Sequence, residues 1–171
     1  MAGSDFVFNI ARGALKYHYY AVENSLVLAA AGQFTSTANA ALVIVAIETT
    51  GIEADDTLNN YDDLAALLAA TNNEPTGGTY ARKVLTETDL PAVPAPDDTA
   101  NQLNLDFPDQ TFTALSTTGN AAIGKFLVCF RPDTGSADSA IIPLSAHAVT
   151  LTPDGNDVVL QINAAGFWRS A

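Results

Sequence analysis

Two segments of this chain are nearly unbroken apolar runs, residues 40–48 (containing ALVIVAIE) and 123–130 (IGKFLVCF). Both are rich in β-branched and aromatic residues, which predicts strands buried on both faces. Elsewhere the pattern alternates. Phe6, Phe8 and Ile10 alternate with Val7 and Asn9, which reads as a short strand or an extended arm. Residues 12–23 are ambiguous: Ala14, Leu15, Tyr19 and Val22 fit one helical face, whereas Tyr17, His18, Tyr19 and Tyr20 favour strand.

The pattern predicts one helix near 60–71. Asn60 can cap it, Asp62 and Asp63 suit the positive end of the helix dipole, and LAALLAA follows. Asn72, Asn73 and Pro75 end it. Beyond it the period returns to two. Residues 79–86 read as a strand, as do Leu103, Leu105 and Phe107 and residues 139–144. Residues 89–98 carry three prolines and must run extended on the surface without ladder hydrogen bonds. An Asp-Gly turn at 154–155 predicts a hairpin whose second arm holds Val158, Leu160 and Ile162. The expected fold is therefore mainly β with one or two short helices: a β-sandwich or barrel-like domain with an extended N-terminal arm. Residues 1–24 form the arm or first element, and 25–171 a single β-rich domain.

Composition narrows the partners. Nineteen acidic and seven basic residues among 171 give a formal net charge of −12. Such a chain repels phosphate backbones and anionic lipid, and its basic residues form no stripe, so neither nucleic acid nor membrane is expected as a partner. The uncharged stretch from 24 to 47 is interrupted by GQFTSTAN, and its longest apolar run is too short to span a bilayer. The opening MAGSDFVFNIARG does not read as a signal peptide. The single cysteine, Cys129, excludes an internal disulfide and reads as a buried, inert thiol.

Candidate chemistry is sparse. GNAAIGK at 119–125 matches most of a phosphate-binding loop, but Phe126 stands where Ser or Thr must bind the metal, and a strand follows instead of a helix. The acidic pairs Asp55-Asp56, Asp62-Asp63 and Asp97-Asp98 lack calcium-loop spacing and read as solvated surface. His18 and His147 are too few for a multi-histidine metal site. Ser145, His147 and an aspartate can be assembled into a triad on paper. No nucleophile elbow supports it, and at i, i+2 on one strand face Ser145 and His147 could not adopt the required geometry without a special turn, so catalysis is not indicated. The expectation is a non-enzymatic protein without metal or cofactor.

The segments FVFNIARGALKYHYYAVENS (6–25), YDDLAALLA (61–69) with TNNE after it, YARKVLT (80–86) and DFPDQTFTA (106–114) carry a resemblance. Together they resemble a group of small virion proteins of tailed bacteriophages. The resemblance implies a virion component made in the bacterial host cytoplasm: a capsid decoration (cement) protein on the capsid exterior, or a tail or neck accessory. It implies the major capsid protein as partner and a homo-oligomer, with a trimer as one form. Docking would fall to the segment of Phe6, Val7, Phe8 and Ile10, to Pro91, Pro94 and Pro96 in the proline-rich loop, and to Trp168. For Phe6–Ile10 the alternative is an ordinary first strand of the chain's own sheet. A carbohydrate- or receptor-binding module, with Trp168, Tyr17, Tyr19 and Tyr20 as its aromatic surface, is the competing class.

Overall fold

A computed structural model describes residues 4–12, 15–24, 27–29, 33–35, 40–92, 94–95, 97–117, 119, 121–163 and 166–170. The strands are β1 (Phe6–Val7), β2 (Val27–Ala29), β3 (Gln33–Thr35), β4 (Ala41–Glu48), β5 (Lys83–Leu85), β6 (Leu103–Leu105), β7 (Gln110–Phe112), β8 (Ile123–Arg131), β9 (Ile142–Leu151), β10 (Val158–Leu160) and β11 (Trp168–Ser170). Among the described residues three α-helices accompany them: α1 (Leu15–Glu23), α2 (Asp55–Leu58) and α3 (Leu64–Ala69). The mainly-β expectation holds.

The frame is an antiparallel sheet in the order β1-β9-β8-β4-β5, with β4 and β8 near its centre. These are the two apolar runs, and burial on both faces explains their composition. Side chains alternate between the faces. On one face Leu42, Ile44 and Ala46 lie opposite Phe130, Val128 and Phe126; on the other Val43, Val45 and Ile47 lie opposite Cys129, Leu127 and Lys125. The first face meets α1 through His18, whose ring lies 4.7 Å from that of Phe130, and β7 through Phe112, 5.3 Å from Phe126. The second meets α2 where Lys125 reaches Asp55. Two-stranded ribbons, β7 with β10 and β6 with β11, complete the layer over the first face.

Several expectations change in detail. The sheet is open, with β1 and β5 as its edges, so the barrel alternative does not describe it. The N-terminal segment is extended, but it pairs with its own chain: Phe6 lies opposite Ala146 and Val7 opposite Ser145. It is the first strand of the sheet, the second of the two readings. The helix near 60–71 is α3, capped by Asp63 and not by Asn60. Residues 12–23 resolve largely into α1. Residues 139–144 are not one strand, because a 3₁₀ turn occupies Asp138–Ala140 before β9 begins. Of residues 79–86 only β5 is strand.

The Asp-Gly turn is present, but its flanks do not pair with each other. Gly155 donates to the Leu115 carbonyl at 2.9 Å, and Leu115 donates to the Asn156 carbonyl at 2.8 Å. The turn is therefore docked on the loop after β7, and β10 pairs with β7.

Candidate functional site

The register of the sheet determines what lies beneath the ribbons. Ser145 of β9 has Val128 on one side and Val7 on the other. One row along, His147 lies opposite Phe126, and Asp5 precedes β1 on the same face as Val7. Ser145 Oγ and His147 Nε2 are 2.9 Å apart. On the ring's other side His147 Nδ1 is 3.5 Å from Asp5 Oδ2. The Ala148 N–H donates to Asp5 Oδ1 at 2.6 Å and fixes the carboxylate in place.

This polar row forms one wall of a cleft of about 480 Å³ between the sheet and the C-terminal ribbons. Phe107, Val149, Leu160, Ile162, Phe167 and Trp168 supply much of the apolar lining. Gly166 shapes its far end. Its φ is +83°, and a Cβ there would stand 2.2 Å from the Leu105 carbonyl oxygen, so a glycine is required for the chain to close onto β6. Burial lowers the His147 pKa; Asp5 opposes the shift and the Lys125 charge adds to it. The ring is then neutral at physiological pH, able to accept a proton at Nε2 while Nδ1 faces a carboxylate.

A second polar cluster lies on the opposite face. Lys125 is buried, its side chain 1% exposed, with Nζ 3.2 Å from Asp55 Oδ1. Nζ also donates to the Ser4 carbonyl at 3.0 Å, and Ser4 N donates to Asp55 Oδ2 at 2.7 Å. Burial pulls the Asp55 carboxyl upward, but the bonds from Ser4 and Lys125 prevail and hold it below the usual range. The glycine-rich loop thus ends in a lysine committed to an internal ion pair. It leads into β8, not into a helix, so its resemblance to a phosphate loop stops at the spacing.

His18, Cys129 and Asp97 are taken up by the fold. His18 is buried against Phe130, and burial lowers its pKa to about 4. Cys129 is buried, which pushes its thiol far above the usual range and leaves it inert. Asp97 accepts from the N–H groups of Thr99 and Ala100, an Asx turn. Among the described residues no group of three or more His, Cys, Asp or Glu side chains is placed to hold a metal ion.

The docking residues divide: Phe6, Val7 and Trp168 line the cleft, while Pro91 and Pro94 stand on an exposed loop. Phe6 and Val7 are half-buried in the sheet, Phe8 is fully buried, and Ile10 is 40% exposed. Pro91 and Pro94 are exposed, and the Tyr19 hydroxyl anchors that loop by donating to the Pro91 carbonyl at 3.0 Å. Pro96 lies outside the described residues. Trp168 is half-buried in the cleft wall. Of the aromatic residues named for a glycan-binding module, Tyr19 is buried, Trp168 is half-buried, and Tyr17 and Tyr20 are exposed on α1.

The expectation that Ser145 and His147 could not meet without a special turn is corrected: they touch at 2.9 Å within a continuous strand. Neighbours on one strand face stand about 7 Å apart, and a serine hydroxyl and an imidazole together span that gap. The i, i+2 spacing was itself the available signal. Asp5 had none, because its place depends on the pairing of β1 with β9. No family model matches the chain, and no curated protein or solved structure matches it.

Proposed function

We propose that the chain is a structural protein of a tailed-bacteriophage virion, a capsid decoration protein that binds the outside of the major capsid shell and reinforces it as a homo-oligomer. The observation that carries this reading is what the resemblance motifs do in the fold: they knit distant segments together. In FNIA, Phe8 and Ala11 are buried, Asn9 N donates to the Asn59 carbonyl at 3.0 Å, and its side chain donates to Asn60 at 2.8 Å. In YDDLAALLA, Asp63 caps α3, and Leu64 and Leu67 enter the core.

In TNNE, the Asn73 carbonyl accepts from Glu48 N at 2.8 Å, and the Asn72 side chain donates to the Leu67 carbonyl at 3.1 Å. In YARKVLT, Arg82 grips Glu74 and Asp138 with paired bonds of 2.6–2.8 Å. The Tyr80 hydroxyl donates to Glu74 and accepts from Ala46 N. Motifs spent on architecture favour a protein selected for its shape and durability, the demand a shell component meets. Twelve surplus negative charges suit the face turned away from packaged DNA.

Quantitative mass spectrometry of purified particles tests the proposal. Decoration predicts hundreds of copies per particle. A handful would move the protein to the neck or tail, and absence from particles overturns both positions.

A further inference from the structure

The virion role leaves the polar row under the ribbons without a task. Here Ser145, 1% exposed, is paired at 2.9 Å with an imidazole whose other nitrogen faces a carboxylate. Asp5 is itself pinned by the Ala148 N–H, and the tautomer that carries its proton on Nδ1, toward that carboxylate, leaves Nε2 as the base. A nucleophile, a base within hydrogen-bond reach and a third group orienting the base are the elements of nucleophilic catalysis. They stand at the polar wall of a cleft whose 480 Å³ falls within the range of small-ligand pockets and whose lining is largely apolar.

We propose that Ser145, His147 and Asp5 form a nucleophilic serine site that takes esters with a short apolar acyl group, the acyl chain lying against Phe107, Leu160 and Phe167. In the first step the Ser145 Oγ–acyl carbon bond forms, and the Oγ proton passes to His147 Nε2. The bond from the acyl carbon to the leaving oxygen then breaks, and His147 returns the proton to that oxygen. Water repeats the sequence on the acyl-serine, releasing the acid and restoring Ser145. Asp5 is a positioning residue: it holds the ring and offsets its charge. The site is independent of the virion role, and either can fail alone.

The test is an alkyl fluorophosphonate applied to the full chain. With it the Ser145 Oγ–phosphorus bond forms, the phosphorus–fluorine bond breaks, fluoride leaves as the anion, and the Oγ proton passes to His147 and on to solvent. Intact mass and peptide mapping should show one adduct, on Ser145, near neutral pH. Ser145→Ala should abolish it, and His147→Gln should slow it on the order of a hundredfold. Both variants are compared with the parent by circular dichroism and thermal unfolding. The labelling rate should rise with pH through a midpoint below 6.5, the ordinary histidine value.

Asp5→Asn removes a charge that raises the His147 pKa, so the midpoint should move further to acid, a change that looser packing alone would not produce. No Ser145 adduct under excess probe that labels a control serine hydrolase overturns the proposal. So does labelling that is unchanged in His147→Gln, and an unmoved midpoint in Asp5→Asn removes Asp5 from the site.

Discussion

Asp62 and Asp63 look alike in the sequence and do different work. Asp63 Oδ1 accepts from Ala66 N at 2.7 Å and satisfies one of the free N–H groups that open α3, whereas Asp62 is exposed. Asp63→Ala should cost about 1 kcal/mol in urea unfolding, and Asp62→Ala less than about 0.5 kcal/mol. The sequence could not separate Asn60 from Asp63 as the cap, because both precede the apolar run at plausible distances. The choice falls to the preceding turn, where Asn60 N donates to the Thr57 carbonyl and Tyr61 N to the Leu58 carbonyl. Ser145 and His147 were named together in the sequence, but their contact at 2.9 Å was judged out of reach for one strand face. Asp5 was not legible, since its bond to Ala148 joins residues 143 positions apart.

At the scale of elements, β4 and β8 were legible because their residue types are dictated by burial on both faces, whatever their partners. Pairing was not. The Asp-Gly turn promised a hairpin on local grounds, but the loop at 114–115 binds it, and the ladder forms with β7. In α1 the tyrosines favour strand, and packing decides otherwise: His18, Tyr19 and Val22 are buried while Tyr17 and Tyr20 take the solvent side. The first strand has a testable consequence. A free docking arm would tolerate truncation without loss of stability. Here Phe8 is fully buried and Phe8 N donates to the Leu144 carbonyl at 2.9 Å. Phe8→Ala should cost about 3–5 kcal/mol, and deletion of residues 1–8 should be worse, both read by thermal unfolding.

Over the whole molecule, the buried titratable groups set the response to acid. The folded-state pKa of His18 lies near 4, against 6.5 when exposed. As pH falls the unfolded chain takes up that proton first, so stability present above 6.5 is lost down to about 4, on the order of 3 kcal/mol. Asp55 and Asp138 extend the loss. Both carboxyls titrate below 3.8 in the folded state, Asp138 because Arg82 bonds it, so their contribution is present above 3.8 and disappears as pH falls through their folded values. Relief of the negative self-repulsion acts the other way but is screened at physiological salt. Urea midpoints measured against pH should decline from 6.5, and His18→Phe should flatten the upper part of that decline.

Lys125 and Ser4 are joined across 121 positions, and Asp5 and Ala148 across 143. During synthesis the first strand leaves the ribosome on the order of ten seconds before its partner strand is made. Until then Phe6, Val7 and Phe8 have nowhere to go, and a newly made β9 presents an open edge. Any strand of matching pattern can occupy that edge, including the first strand of a neighbouring nascent copy. Exchange between chains is thus confined to the interval before Ser4 and Asp5 fasten, after which the same contacts close the route.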